Sequence, residues 1–149
     1  MNLVIGCDSL LIEQSHAIRE EVFVIEQDMS LEFDRDGKDS VSQHAILYLD
    51  CQPVGCARLT ISQHRAVLSR VAVLDAYRGA KLADMLINAL LRYARRQRVH
   101  YVSVHAHQYL EDHYKKLGFA FAKNGEVVGK HQLIELAISL ETPANVVAA

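Results

Sequence analysis

The clearest pattern along the chain is a stripe of apolar residues that returns every three or four positions between residues 82 and 94. This period of about 3.6 residues places side chains on one face of an α-helix. Arginines crowd the end of the stretch, where positive charge suits the negative end of the helix dipole. The pattern therefore predicts one long amphipathic helix with this apolar stripe: Leu82, Met85, Leu86, Ala89, Leu90, Tyr93 and Ala94.

A second helix is predicted near the start of the chain, over residues 13–25. Ile18, Val22 and Ile25 fall four and three positions apart, which places them on one face of a helix. The pair Asp8-Ser9 precedes this stretch, and both residue types are favoured as helix N-caps.

Shorter apolar runs between these two helices predict strands. An acidic, glycine-containing stretch at 29–42 is typical of a loop that comes before them. Each run is about five to eight residues long, the usual size of a strand, and turn residues separate them. The runs predict a meander of three strands: 45–49, 54–61 and 67–73.

Further elements are predicted after the long helix. We expect a buried strand at 101–105, a short helix at 109–117 that ends at Gly118, and closing strands that turn at Asn124-Gly125. The element order, beginning with a strand, is β-α-β-β-β-α-β-α-β-β. The strand–helix–strand crossover in its middle requires at least one parallel pair in a mixed sheet.

Composition narrows the class of protein. A length of 149 residues suits a single domain spanning 1–149, and we expect residues 142–149 to form a flexible tail. Sixteen Lys and Arg against eighteen Asp and Glu argue against binding to nucleic acid or to an anionic membrane. Three cysteines indicate no disulfide framework, and no apolar run approaches the roughly 20 residues of a membrane span. We expect a cytoplasmic protein.

The segment between Val73 and the long helix has features of an anion-binding loop. Backbone N–H groups at a helix N-terminus have no partner within the helix and favour anions. The small residues Gly79, Ala80 and Ala83 allow the backbone to approach a ligand closely, and Arg78 adds positive charge. These features favour a pyrophosphate cradle, although an ordinary strand–helix connection would also account for them.

The same loop resembles the acetyl-CoA motif of the GNAT acetyltransferases. That motif reads Gln or Arg, two residues, Gly, one residue, then Gly or Ala. Arg78 fills its first position and Ala83 its last, whereas Lys81 stands at the central glycine. Downstream, the stretch 113–119 resembles the family signature of Tyr, three residues, Gly and Phe, with Tyr114 at its tyrosine.

The N-terminal half is similar to the ElaA-like subgroup of this family. The matching residues are Arg19, Val22-Phe23-Val24, Glu26-Gln27, Asp34-x-Asp36 and His44. Two later pairs depart from the subgroup: Ala106-His107 replaces its Ala-Gln, and His131-Gln132 matches its Pro-His only loosely. The resemblance spans residues 19–136.

The resemblance implies an α/β (α+β) fold with a mixed, mostly antiparallel sheet and helices on both faces. Two splayed strands of that sheet would bind acetyl-CoA, the acetyl donor, and no metal is implied. The strand would hold the pantetheine arm by main-chain groups, and the following loop would hold the pyrophosphate. The implied cofactor-binding residues are Val71, Ala72, Val73, Arg78, Gly79, Ala80, Lys81, Leu82 and Ala83.

The resemblance also implies that Tyr114 is the general acid that protonates the departing CoA thiolate. A phenol with an unperturbed pKa of about 10 stays protonated at neutral pH. A tyrosine that merely packs against the sheet is the structural alternative. Glu26, Gln27 and His44 are the residues expected to contact the acceptor. The general base stays open among Glu26, Asp34, Asp36 and His44.

The predicted function is transfer of an acetyl group from acetyl-CoA to a primary amine of a small molecule or peptide. The sequence leaves the oligomeric state open, and the final strands could pair two copies into a homodimer. A non-catalytic acyl-CoA-binding or sensing domain is one alternative. A metal-dependent hydrolase is another, and it would use His105, His107 and His113.

Overall fold

The computed structural model describes residues 1–79 and 81–140, and its centre is one seven-stranded sheet with the order β1-β2-β3-β4-β5-β7-β6. The neighbouring strands are antiparallel except for β4 and β5, which are parallel. The predicted mixed, mostly antiparallel sheet is confirmed, and the predicted tail at 142–149 lies outside the described residues. The strands are β1 (Asn2–Gly6), β2 (Gln43–Leu49), β3 (Gln52–Ser62), β4 (Arg65–Val73), β5 (Tyr101–His107), β6 (Ala120–Val128) and β7 (His131–Ser139).

Helices cover both faces of the sheet, as predicted. The helix α1 packs on one face, and α3 packs with α4 on the other. Within the described residues, no helix is long and apolar enough to cross a membrane. The helices are α1 (Ser9–Arg19), which continues into a π-helical segment (Glu20–Glu26), α2 (Leu31–Asp34), α3 (Leu82–Arg96) and α4 (Glu111–Lys116).

The apolar stripe of α3 forms the centre of the larger core. Leu86 and Leu90 are fully buried against the sheet, and Leu82, Ala89 and Ala94 are buried beside them. Burying each of these leucine side chains stabilises the fold by roughly 1.5–3 kcal/mol. The long helix predicted from this stripe is therefore confirmed. It covers the same face of the sheet as α4.

The first helix begins earlier and ends differently than predicted. Asp8 accepts a hydrogen bond from the Leu11 N–H at 3.0 Å, so the capping role is confirmed and the helix starts at Ser9 rather than at residue 13. The wider turn of the π-helical segment then rotates later side chains. Val22 is therefore buried whereas Ile25 is exposed, so the prediction that they lie on one face of a helix is wrong.

The predicted turn at Asn124-Gly125 is wrong, because β6 continues through these residues to Val128. An irregularity in the pairing with β7 takes up one extra residue there, and the chain turns only after Val128, where Gly129 has φ of 60°. Gly125 lies within β6, where the lack of a side chain lets the Leu133 backbone of β7 come close. A Cβ at this position would lie 3.2 Å from the Leu133 carbonyl oxygen.

The parallel ladder between β4 and β5 ends after four pairs, the last of which joins Leu68 to Val104. Beyond that pair, β4 contains a bulge. Ser69 and Ala72 pair with β3, and the two β4 residues between them lie opposite a single residue of β3. Arg70, within the bulge, has φ of 55°. Because a bulge bends its strand and increases its twist, β4 turns away from β5. We call the resulting gap the fork, and it confirms the predicted splay.

A loop over residues 29–42, here named the aspartate loop, is held onto the sheet by buried ion pairs. Arg19 is fully buried and donates to Asp34 at 3.0 Å and to Asp39 at 2.8 Å. Arg58 of β3 donates to Asp36 at 2.7 Å and to Asp39 at 3.1 Å. Three aspartates thus join α1, the aspartate loop and the sheet.

Arg70 links this network to the bulge. Its guanidinium donates to the Phe33 carbonyl oxygen at 2.9 Å and pairs with Asp34 at 3.2 Å and Asp36 at 3.3 Å. The left-handed backbone of Arg70 is unfavourable for a side chain of this size. The contacts to the aspartate loop therefore stabilise the conformation that opens the fork.

We expect Asp34→Ala to lower the free energy of unfolding by about 3–5 kcal/mol, because it leaves the buried Arg19 without one of its two carboxylate partners. Urea denaturation followed by circular dichroism measures the loss. Glu20→Gln is the control, since the exposed Glu20 carboxylate lies 3.8 Å from the partly exposed Arg35, a distant surface pair whose loss should change the value by less than about 0.5 kcal/mol. Equal effects of the two substitutions would contradict the role of the network.

Candidate functional site

A cavity of about 660 Å³ occupies the fork and is lined from both faces of the sheet. Tyr114 and Leu110 reach it from the α3 and α4 face, where both belong to the larger core. His105 lies between Val104 and Ala106, which point into that core, so its side chain lines the cavity from the opposite face. The cavity therefore passes through the sheet.

The free edge of β4 forms one wall of the fork. The Leu74 N–H donates to the Val54 carbonyl oxygen at 2.9 Å, toward β3. Because main-chain groups alternate in direction along a strand, those of Val73 and Val71 face the fork. The side chain of Ala72 packs in the smaller core beneath α1. Two of the three predicted strand residues thus present backbone groups to the gap.

Arg78 and Glu26, predicted for different parts of the site, form a two-point ion pair. The guanidinium donates to the two carboxylate oxygens at 2.5 and 2.7 Å, and its Nε donates to the Val73 carbonyl oxygen at 2.9 Å. The hydrogen bond from Arg78 lowers the pKa of Glu26. The pair ties the end of the π-helical segment to the loop that follows β4.

The start of α3 leaves backbone N–H groups free for a ligand. Among the described residues no side chain caps this helix, and its first internal bond runs from the Met85 N–H to the Lys81 carbonyl oxygen. Gly79 has φ of 92° and Lys81 has φ of 60°. Leu82 is buried and Ala83 is partly buried. Ala80 lies outside the described residues.

Tyr114 is buried, and its ring packs edge to face on Phe119 with 5.5 Å between centroids. Burial, together with the negative charge of Asp84, raises the pKa of its phenol. The neighbouring His113 lies 2.9 Å from the Asp84 carboxylate. The hydroxyl is therefore held in its protonated form next to the cavity.

Gln27 contacts two histidines, of which His107 lines the cavity. Its side-chain oxygen lies 3.1 Å from His107 Nε2, and its backbone oxygen lies 3.3 Å from His131 Nε2. The two imidazoles contact each other edge to face at 4.7 Å. Burial and the nearby His131 lower the pKa of His107. His107 is therefore neutral at neutral pH, and its contact with Gln27 joins the π-helical segment to β5.

The remaining predicted acceptor residues and bases do not join the cavity as free groups. His44 is fully buried, and its Nε2 contacts the Asp39 carbonyl oxygen at 2.8 Å. Burial lowers the pKa of His44. Although burial alone would raise the pKa of Asp36, its hydrogen bonds from Arg58 lower it to about 2. Asp34 is occupied by the arginines described above. Asp34 and Asp36 therefore line the cavity together with Tyr114 but are held by arginines, whereas His44 does not line it.

The histidines of the hydrolase alternative do not converge. His105 and His107 lie on one face of β5, whereas His113 lies on α4 and pairs with Asp84. Within residues 1–79 and 81–140, no group of three metal-binding side chains has the geometry to hold an ion. A single metal centre built from these three histidines is therefore inconsistent with the fold.

A pair that sequence reasoning missed lies on the same face of β5. His105 Nε2 is 2.9 Å from Glu135 Oε1, and the two residues are direct partners in the β5–β7 ladder. Thirty positions separate them in the chain. Only the pairing register brings them together, so neither spacing nor a motif signals the contact.

The left-handed conformation of Lys81 explains why related motifs carry glycine there, and it is unfavourable for lysine. We expect Lys81→Gly to raise the free energy of unfolding by about 0.5–1 kcal/mol, because relief of backbone strain outweighs the greater entropy of the unfolded chain. Thermal or urea unfolding measures the change. Lys38→Gly, at an exposed lysine with φ of −97°, should instead lower stability. A destabilising Lys81→Gly would show that no strain is stored there.

Comparison with known proteins identifies the family. The model of the acetyltransferase (GNAT) domain matches residues 13–135. A Bacillus subtilis (strain 168) relative, the uncharacterized N-acetyltransferase YjcF, is 31% identical over 90 residues, which cover 60% of this chain and 64% of the relative.

Solved structures share the fold. Escherichia coli ElaA superposes with a TM-score of 0.82 at 24% identity, over 92% of this chain and 98% of that one. An acyl-CoA N-acyltransferase from Pseudomonas aeruginosa superposes with a TM-score of 0.83 at 23% identity, over 93% and 99% of the two chains. The forked sheet, the motif that follows β4 and the match over residues 13–135 lead to one conclusion: the chain belongs to the GNAT family and is an acetyl-CoA-dependent acyltransferase.

Proposed function

We propose that this enzyme transfers the acetyl group of acetyl-CoA directly to a primary amine of a small molecule or peptide, with Tyr114 as the general acid. The observation that carries the proposal is the cavity that passes through the fork. It joins the free edge of β4, where a thioester can lie, to a protonated phenol on one face and an open compartment on the other.

The cofactor follows from the backbone groups left free along this path. Pantetheine amides pair with the main chain of Val71 and Val73 as an added strand would. The pyrophosphate lies on the N–H groups at the start of α3, where the helix dipole favours negative charge. Lys81 adds a cation at this point. Arg78 exchanges its exposed contact with Glu26 for a phosphate oxygen.

The chemistry requires an attacking amine, a polarised carbonyl and a protonated leaving group. A β4 N–H that faces the fork donates to the thioester oxygen and stabilises the tetrahedral oxyanion. Tyr114 then donates its proton to the departing sulfur. The buried phenol is neutral across the physiological pH range, because its pKa is raised.

The open compartment suits an amine that carries apolar groups. Phe23, Phe33 and Leu133 supply apolar lining. Glu32 and Glu126 line it too, and neither makes an ion pair within the part of the chain that the structure describes. Unpaired carboxylates at the cavity favour a cationic acceptor by simple attraction. Glu26 and Gln27 lie beside the cavity, where they contact Arg78 and His107.

The oligomeric state and a non-catalytic role are two further questions that the fold bears on. A homodimer formed through the closing strands is compatible with the position of β6 at the edge of the sheet. A non-catalytic acyl-CoA-binding domain would use the same cradle, but it would not need a proton donor at the fork. The two functions therefore differ in what Tyr114 does.

We expect Tyr114→Phe to keep the affinity for acetyl-CoA within about threefold and to lower kcat by about 100-fold or more, because only the proton donor is lost. Calorimetry with acetyl-CoA measures binding, and thiol release with phenylethylamine, spermidine, L-lysine and a dipeptide amide measures turnover. Tyr101→Phe, at the paired end of β5, is the control and should retain both. Unchanged turnover in Tyr114→Phe would reject the acid role, and absence of any heat with acetyl-CoA would reject the proposed function.

A further inference from the structure

We propose that His105 is the general base that takes a proton from the acceptor ammonium, and that Glu135 positions its imidazole. This inference rests on the proposed transfer to an amine. It assigns the one chemical role that the sequence left open, and it assigns that role to residues outside the original set of Glu26, Asp34, Asp36 and His44.

His105 lies at the mouth of the fork. It is the first residue of β5 beyond Leu68 and Val104, the last pair of the parallel ladder. Its side chain lines the cavity on the face opposite to the one from which Tyr114 approaches. An acyl transfer needs its base on the side of the nucleophile and its acid on the side of the leaving group. The two residues meet the cavity from those two sides.

The contact with Glu135 fixes which nitrogen of His105 carries the proton. Glu135 Oε1 lies 2.9 Å from Nε2, and an ionised carboxylate only accepts hydrogen bonds. Nε2 therefore donates, and Nδ1 keeps the lone pair that a base needs. No partner for Nδ1 is found among the described residues, and the side chain is 48% exposed, so a ligand has access to it. The carboxylate also stabilises the imidazolium that forms.

Other basic groups at the cavity are already occupied. Asp34 and Asp36 are hydrogen-bonded to arginines, and Asp36 stays ionised down to about pH 2. His107 has its Nε2 on Gln27. Among residues 1–79 and 81–140, the carboxylates of Glu32 and Glu126 have no ion-pair or hydrogen-bond partner to orient them. Glu135 contacts His105 directly. The charged or titratable groups that line the cavity with His105 are Glu32, Asp34, Asp36, Lys38, Arg58, Arg70, His107, Tyr114 and Glu126.

His105 and Tyr114 together account for every proton in the reaction. The ammonium gives one proton to His105 Nδ1, and its freed lone pair attacks the thioester carbon. The C–N bond forms and the C–S bond breaks, while Tyr114 gives its proton to the sulfur. Tyr114 regains a proton from the nitrogen that has been acylated. The products are the amide, free CoA thiol and one proton that leaves His105 for solvent.

The test compares His105→Gln, Glu135→Gln and the control His64→Gln, whose histidine lies in the exposed turn between β3 and β4. The amine with the highest wild-type turnover in the four-amine panel is the acceptor. We expect His105→Gln to bind acetyl-CoA normally and to lose at least 100-fold in kcat/KM, together with the acidic limb of its pH profile. His64→Gln should match the wild type.

Glu135→Gln tests whether Glu135 positions the His105 imidazole, because a purely structural role of Glu135 would leave the pH dependence of turnover unchanged. Loss of the carboxylate destabilises the imidazolium, so the acidic limb should shift to lower pH. The imidazole C2–H resonance of His105, followed by NMR in the intact protein, should shift its titration in the same direction. An unmoved limb and an unmoved titration would reject the positioning role, even if His105→Gln failed to fold.

The outcomes separate the two proposals. If the wild type turns over and the kcat/KM of His105→Gln lies within threefold of the wild-type value, the role of His105 as base is rejected. The proposed acetyl transfer is then unaffected. Normal acetyl-CoA binding without wild-type turnover on any of the four amines rejects the amine acceptor class, and with it this inference. Loss of the limb in His105→Gln and its shift in Glu135→Gln would establish both roles.

Discussion

Arg70 holds a left-handed backbone in the middle of β4 while its guanidinium contacts the Phe33 carbonyl oxygen, Asp34 and Asp36. That conformation costs about 1–2 kcal/mol for a residue with a side chain, so it persists only where other contacts outweigh the cost. The aspartate loop supplies those contacts. The bulge bends β4, the parallel ladder stops after Leu68, and the cavity opens at that point.

The same charges connect distant parts of the chain to the site. Arg19 anchors α1, Arg58 anchors β3 and Arg70 anchors β4, and all three meet the aspartate loop. Removing one partner from a buried set leaves an uncompensated charge, which is why such networks are sensitive to single substitutions. The wall of the cavity that the aspartate loop forms is therefore coupled to the strand at the edge of the fork.

The sequence predicted what depends on local pattern. The stripe of α3 follows from its period of 3.6 residues, and membership of the GNAT family follows from the short motif around Arg78. The sequence did not predict features that depend on strand register or on balance among buried charges. Glu135 meets His105 only through the β5–β7 ladder, and Asn124-Gly125 is a local turn signal that the pairing of β6 overrides. Asp34 and Asp36 looked like free acids because their arginine partners lie far away in sequence.

Amide hydrogen exchange along β4, with and without coenzyme A, tests most directly whether the fork is the cofactor site. The N–H groups of Val71 and Val73 face the gap, whereas that of Leu74 is already bonded to Val54. Saturating coenzyme A should slow exchange at Val71 and Val73 by at least tenfold relative to Leu74. Binding of coenzyme A that protects the three amides equally would contradict a cofactor paired with the edge of β4.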